Sequence, residues 1–323
     1  MPLSYAALTP DVVLDACDSA GFRADGRLLP LNSYENRVYQ VWLEDGDSVV
    51  LKFYRPGRWS ARQIAEEHAF AKELAEHEIP VVAPSFTGER AGFSFAVYPR
   101  RGGRSPELED RRTLEWIGRF IGRIHAVGAA RAFQSRESLS AKTFGHEPRA
   151  WLLAHRFIPA DLLDAWKAVT EQALAAVARC YERAGEARSI RLHGDCHAGN
   201  ILWTEGREMS GPHFVDLDDA RMGPALQDLW MLLSGDRRAM TRQLSDLLAG
   251  YEDFMHFDRR ELPLLEALRT LRLIHYSAWL ARRWDDPAFP AAFPWFGTQR
   301  YWQDRILELR EQIAAMDEEP LSV

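Results

Sequence analysis

The sequence predicts an α+β fold in two lobes: a small N-terminal lobe with an antiparallel sheet, residues 1–99, and a mainly helical C-terminal lobe, residues 100–323. Three observations carry this expectation. Alternating β-branched and aromatic stretches crowd the chain up to Pro99, and helical periodicity dominates beyond residue 106. Between the two patterns lies the basic, glycine- and proline-punctuated segment Arg100-Arg-Gly-Gly-Arg-Ser-Pro106. With 323 residues, 46% of them hydrophobic, the chain can bury a large core or support two lobes sharing a cleft.

The elements follow in order. Residues 10–20 read as a short helix stopped by Gly21, with Cys17 a small apolar residue inside it. Within Leu29–Leu43 the second half alternates like a strand. A turn at Glu44–Asp47 leads to a second strand, Ser48–Tyr54, which completes a hairpin. A helix is expected from about Ser60 to His77, where Ile64, Glu67, Phe70, Ala71 and Leu74 share one stripe. Strands are expected at Val82–Thr87 and Phe93–Pro99. Leu114, Ile117, Ile121 and Ile124 mark the first helix of the second lobe, where Gly118 and Gly122 permit close packing. Further helices are expected at 161–184, Leu226–Leu233, 239–256, 261–283 and Thr298–Met316, followed by a fraying tail. The proline- and aromatic-rich stretch 285–296 cannot form a regular helix and reads as an ordered wrap.

Composition excludes several classes. A formal charge of -7 argues against general nucleic-acid affinity, which comes mainly from Lys and Arg neutralising phosphates. Three cysteines, widely spaced and odd in number, do not make a disulfide framework, so a reducing cytoplasm is expected. The N-terminal Met-Pro-Leu-Ser-Tyr has no signal-peptide pattern, and no run reaches the roughly 18–20 apolar residues of a bilayer span.

The chemistry concentrates in Arg191-Leu-His-Gly-Asp-Cys-His-Ala-Gly-Asn-Ile-Leu-Trp203 and His213-Phe-Val-Asp-Leu-Asp-Asp-Ala220. Asn200 lies five residues after Asp195, and Asp216 sixteen after Asn200, at the end of a strand-like run. That is the spacing of a kinase catalytic loop followed by a metal-binding aspartate, with Gly194 replacing the usual Arg and Leu217-Asp218 replacing Phe-Gly. Phosphoryl transfer needs one carboxylate beside the attacking hydroxyl, for which Asp195 is the candidate. It also needs hard oxygen ligands that hold Mg²⁺ against nucleotide phosphates, for which Asn200 and Asp216 are the candidates. Taken singly, each of these residues is also an ordinary turn former. The ordered set in its strand contexts favours the functional reading.

Lys52, inside the second hairpin strand, resembles the kinase lysine that contacts the α- and β-phosphates of ATP. Glu67, on the apolar stripe of the following helix, is the candidate ion-pair partner, with Glu66 the competing choice. The loop Asn32-Ser-Tyr-Glu-Asn36 occupies the place of a glycine-rich phosphate cover without its glycines. Ser33 and the N–H groups around it are candidate phosphate donors, an ordinary hairpin turn being the alternative. His193-x-x-Cys196-His197 is a weak zinc signal, since no second Cys/His pair stands at a suitable distance. His193 is read as support beneath the loop, His197 as facing phosphate or supporting the loop, and His125 as structural. Cys196, beside Asp195, is a candidate for oxidation without any sign of a lowered pKa. Asp218 and Asp219 crowd Asp216, which suggests a cation nearby, the alternative being that Asp218 or Asp219 caps the next element, and Asp228 is placed to brace the loop through backbone hydrogen bonds.

His193-Gly-Asp-x-His-x-x-Asn200, the later Asp216 and Gly223-Pro-x-x-Gln-Asp-Leu229 resemble the aminoglycoside phosphotransferase/choline kinase group of kinase-like folds. Pro30–Tyr39, Lys52-Phe-Tyr-Arg-Pro56, Leu192–Trp203 and Phe214–Arg221 resemble, more narrowly, the bacterial stress response kinase A family, over roughly residues 5–315. The resemblance implies a cytoplasmic, ATP-dependent Ser/Thr protein kinase active in stress survival and able to phosphorylate itself. It places the proton acceptor at Asp195, Mg²⁺ ligands at Asn200 and Asp216, and an ATP contact at Ser33, with ATP and Mg²⁺ lying between the lobes. The expected partners are ATP and proteins bearing Ser or Thr; a monomer is expected, with neither nucleic acid nor membrane as partner. A kinase of small amino alcohols, sugars or antibiotics is the alternative, since it would use the same transfer chemistry.

Overall fold

The computed structural model describes residues 5–205 and 210–323. In chain order its helices and strands are α1 (Pro10–Ser19), β1 (Ala24–Leu31), β2 (Arg37–Leu43), β3 (Ser48–Phe53), α2 (Ala61–Glu76), β4 (Phe86–Arg90), β5 (Phe93–Pro99) and α3 (Arg111–Gly128). There follow α4 (Glu147–Ala154), α5 (Leu163–Ala184), β6 (Ile190–Leu192), β7 (Ile201–Thr204), β8 (Gly211–Phe214), β9 (Arg221–Gly223), α6 (Leu226–Trp230), α7 (Arg237–Tyr251), α8 (Leu264–Arg282), α9 (Ala288–Ala292) and α10 (Gln299–Met316). Short 3₁₀ turns, and a π-helical segment at Ala141–His146, punctuate this order. The fold is α+β, with an antiparallel five-stranded sheet towards the N-terminus and helices dominating the remainder.

The chain gathers into two compact units. One comprises Met1–Glu107, Phe133–Arg136 and His197–Ala220; the other comprises Leu108–Ala132, Glu137–Cys196 and Arg221–Val323.

The first unit is built on the sheet, in the order β1-β2-β3-β5-β4. Strand alternation sends Val49, Leu51 and Phe53 of β3 into an apolar core with Val41, Phe93, Phe95 and Val97, which α1 closes with Val13, Ala16 and Cys17. The opposite face of β3 carries Lys52, followed by Tyr54, which packs with Ile64 of α2 and Ala96 of β5. α2 begins at Ser60 with a reciprocal capping box to Gln63, which satisfies the first free N–H groups of the helix. The strand expected at Val82–Thr87 instead begins at Phe86. Pro80 and Pro84 deny ladder donors there, and the chain makes only a local bridge, in which Val82 N donates to Phe214 O at 2.9 Å. The β7–β8 hairpin pairs Ile201 with Phe214.

The second unit is helical, with β6 and β9 forming a two-stranded ladder. α3 and α7 pack backbone to backbone. A Cβ on Gly118 would fall 1.9 Å from Leu247 O, and one on Gly250 1.9 Å from Glu115 O, so glycine is required at both positions. The stretch 285–296 holds one short helix, α9, contrary to the expectation of none. Pro290 is tolerated because it stands in the first turn, where its missing N–H would have no helical partner. The C-terminal tail packs through Leu321, which is 5% exposed, rather than fraying. The π-helical segment and α4 fall where sequence reading assigned no element.

Candidate active site

In the first unit the site grows from β3. Strand pairing holds Lys52 between Val38 of β2 and Ala96 of β5, with its side chain on the face towards α2. Its ammonium lies 2.7 Å from Asp216 Oδ1, 3.4 Å from Asp218 Oδ1 and 4.0 Å from Glu67 Oε1. Burial opposes the charge on Lys52, but Asp216, Asp218 and Glu67 outweigh it and hold its pKa well above the usual lysine value. Glu67 is the acid that approaches Lys52. Glu66 instead accepts the backbone N–H groups of Gln134, Ser135 and Arg136 at 2.9–3.0 Å. Burial pushes the Glu67 carboxyl up to about 7, against the opposing pull of Lys52.

Asp218 and Asp219 do not need a metal ion to offset their charge. Arg58 contacts Asp218 directly and reaches Asp219 Oδ1 at 2.8 Å, while Asn36 Nδ2 donates to Asp218 Oδ2 at 3.2 Å. Although burial raises the Asp218 pKa, Arg58 and then Lys52 pull it below the ordinary aspartate value. Arg136 completes the network, bonding Glu67 Oε2 at 3.1 Å and the carbonyl of Ala220 at 3.1 Å. Sequence reading missed Arg58 and Arg136, because no fixed spacing links them to the carboxylates they meet.

Asp216 has φ 61° and ψ 63°, a left-handed conformation uncommon for a residue with a side chain and one that aspartate tolerates better than most. Its side chain is 52% exposed. Val215 N donates to Asn200 O at 3.0 Å, so the β7–β8 hairpin brings Asn200 and Asp216 to the same end. Ser33 is partly exposed in the loop between β1 and β2. That loop is tied down at Asn36, whose Oδ1 accepts Arg55 N at 3.1 Å. His197 supports its own turn, its Nδ1 accepting Gly199 N at 2.9 Å.

In the second unit β6 leads into the loop carrying Asp195. Asp228, at the start of α6, accepts His193 N and Gly194 N, each at 2.8 Å. His125 Nε2 meets the same carboxylate at 3.0 Å while its Nδ1 meets Tyr251 OH at 3.0 Å, which confirms both the brace and the structural role of His125. Gly194 has φ 84°, a backbone conformation that disfavours the arginine of the kinase template. Gln227 Nε2 donates to Gly194 O at 3.2 Å. Asp195 lies 2.8 Å from Arg272 Nη1 of α8, a partner not legible in the spacing of the chain. Cys196 is fully buried, and burial raises its thiol pKa well above the usual value, so it is poorly placed for oxidation. Among the described residues no cluster of three or more His, Cys, Asp and Glu could hold a metal, and no helix is long and apolar enough to cross a membrane.

The chain is a member of a phosphotransferase family. Residues 27–265 match the Phosphotransferase enzyme family. Amicoumacin kinase hAmiN, solved with AMP-PNP, Ca²⁺ and Ami, shares the fold with a TM-score of 0.72 at 18% identity, over 99% of this chain and 98% of that one. The microcompartment-associated aminopropanol kinase does so with a TM-score of 0.69 at 17% identity, over 94% and 96%. Stress response kinase A of Escherichia coli (strain K12) is 45% identical over 325 residues, spanning 99% of this chain and 97% of its own. The serine/threonine protein kinase RdoA of Salmonella typhimurium is 44% identical over the same shares. The chain belongs to the Phosphotransferase enzyme family and, within it, to the stress response kinase A family.

Proposed function

We propose that this protein is a Ser/Thr protein kinase of the bacterial stress response, working in the cytoplasm as a monomer and phosphorylating itself as well as other proteins. The observation that carries this reading is 44–45% identity over 99% of the chain to relatives named as stress response and serine/threonine protein kinases. Its likeness to kinases of small molecules is 13–18% and speaks for the fold alone.

In this reading residues 1–99 serve nucleotide binding and residues 100–323 serve catalysis and substrate binding. Lys52, kept charged by its three carboxylates, binds the nucleotide phosphates, and Glu67 holds Lys52 in place. Ser33 and its neighbouring N–H groups contact ATP. Asp195 accepts the proton of the acceptor hydroxyl as its oxygen bonds to the γ-phosphorus and the bridging oxygen leaves with ADP. The donor set at the end of the β7–β8 hairpin fits Mg²⁺. Asn200 and the half-exposed Asp216 supply hard oxygens, and Mg²⁺ takes few protein ligands because it retains water and phosphate oxygens. When bound, Mg²⁺ would neutralise phosphate charge.

Incubation with labelled ATP tests the reading against three acceptors: the protein alone, a generic protein substrate and a panel of small alcohols. Label is expected on Ser and Thr of protein, including the kinase itself. Efficient transfer to a small alcohol alone would replace this reading with that of a small-molecule kinase.

A further inference from the structure

Beyond the residues of transfer, the second unit carries an outward ridge on α8 that the mechanism above leaves unused. At 3.6 residues per turn, Arg272, Tyr276, Trp279 and Arg283 fall within roughly 60° of one another around the helix axis. Each is partly exposed, whereas Leu264, Leu268, Leu271, Ile274, Ala278 and Ala281 of α8 are buried. The rings of Tyr276 and Trp279 lie nearly parallel, 14° apart in plane and 5.5 Å between centroids. Trp279 is backed by Phe289 at 5.0 Å and Phe293 at 5.9 Å, so the proline- and aromatic-rich stretch around α9 buttresses the ridge. The Arg283 guanidinium lies 5.3 Å from the Trp279 ring centre. At the other end Arg272 contacts Asp195 at 2.8 Å. The ridge therefore starts at the candidate proton acceptor and runs along a rigid helix.

We infer that this ridge docks the segment of the protein substrate that bears the phosphorylated hydroxyl, with an aromatic or large apolar side chain of that segment on the Tyr276–Trp279 platform. The inference rests on the protein-kinase reading and deepens it. The ruler is geometric. A helix rises 1.5 Å per residue, which puts Trp279 about 10 Å along the axis from Arg272. An extended peptide advances about 3.3 Å per residue, so the side chain on the platform belongs about three residues from the acceptor hydroxyl. Flat aromatic faces supply apolar area and ring stacking at little entropic cost, because the platform is already packed from behind. The Arg283 guanidinium over Trp279 disfavours a basic side chain at the docking position.

The test compares Ser peptides that carry Phe, Lys or Ala three residues before or after the acceptor, with wild-type protein and with the Tyr276→Ala and Trp279→Ala variants. With wild type, Phe on one of the two sides is expected to raise kcat/KM about tenfold over Ala, through KM, and Lys there to lower it. Both variants are expected to lose the Phe preference while retaining kcat on the Ala peptide and nucleotide affinity. Because Trp279 packs on Phe289 and Phe293, its removal could unfold α9; the wild-type peptide series then decides alone. Phosphorylation of all peptides without regard to the side chain at either position would overturn this inference and leave the kinase reading intact. Phosphorylation of no peptide and no protein would remove the kinase reading itself.

Discussion

Lys52 and Asp216, 164 residues apart in the chain, meet at 2.7 Å, and the same ammonium is shared with the buried Asp218 and Glu67. Lys52 thus shares with Arg58 and Arg136 the neutralisation of a carboxylate cluster that only the fold brings together. Replacing Lys52 by Met would leave Glu67 and Asp218 with less compensation in a dry environment. The expected cost is about 3 kcal/mol, read as a lowered urea midpoint at unchanged slope, together with loss of nucleotide binding. Wild-type stability in Lys52→Met would show that Arg58 and Arg136 suffice to hold the cluster.

Two groups beside Lys52 make stability depend on pH in opposite senses. Burial, aided by Lys52, lowers the His68 pKa to about 4 from 6.5, so below pH 6.5 the unfolded chain binds a proton that the folded chain refuses. Stability from this group is present above pH 6.5, falls as the pH drops to about 4, and then levels off. Burial raises Glu67 from 4.5 to about 7, so its contribution is present below pH 4.5 and is lost as the pH rises to about 7. Melting temperatures across pH 4–7.5 should separate the two. His68→Gln is expected to remove the acid-side fall, and Glu67→Gln the fall towards neutrality. Parallel curves for both variants and wild type would refute this assignment.

Much of the fold was legible because its elements are amphipathic over several turns or alternate cleanly: α2, α3, α5 and α10, and strands β2, β3 and β5. The strand at residues 82–87 was misjudged, because apolar residues there outweighed the two prolines that break the ladder. α9 was missed for the opposite reason: prolines argue against helix in general but not in a first turn. Spacing alone singled out Asp195, Asn200 and Asp216, and the structure joins the last two through the β7–β8 hairpin. Arg58, Arg136 and Arg272 were not legible. Arginines on polar surfaces look alike in sequence, and only tertiary contact distinguishes those facing a buried carboxylate.

Asp228 holds the loop before Asp195 by accepting two backbone N–H groups at 2.8 Å and meeting His125 at 3.0 Å. Asp228→Asn turns an amide NH₂ towards one of these donors. The loop is expected to shift, lowering kcat about a hundredfold with little change in nucleotide affinity, since misplacement of a reacting group by about 1 Å costs that much. Steady-state kinetics at saturating and limiting ATP should therefore show equal losses, whereas a larger loss at limiting ATP would place the damage in nucleotide binding and contradict a role confined to the loop.

The α3–α7 contact leaves no room for a methyl group at Gly118, where a Cβ would meet Leu247 O at 1.9 Å. Gly118→Ala is expected to destabilise by about 2–3 kcal/mol through overpacking. Gly102→Ala, where a Cβ would lie 3.9 Å from the Arg100 side chain, should stay within about 0.5 kcal/mol of wild type. Denaturant midpoints of the two variants provide the comparison.

The proposed role of Asp195, directing phosphoryl transfer from ATP to protein hydroxyls, can be checked by following label from ATP into protein Ser and Thr with wild type and Asp195→Asn, alongside nucleotide binding by each. Labelled protein is expected with wild type, with a loss of roughly a thousandfold or more in Asp195→Asn and nucleotide affinity within about threefold of wild type. An Asp195→Asn protein that transfers phosphate at the wild-type rate would rule that role out.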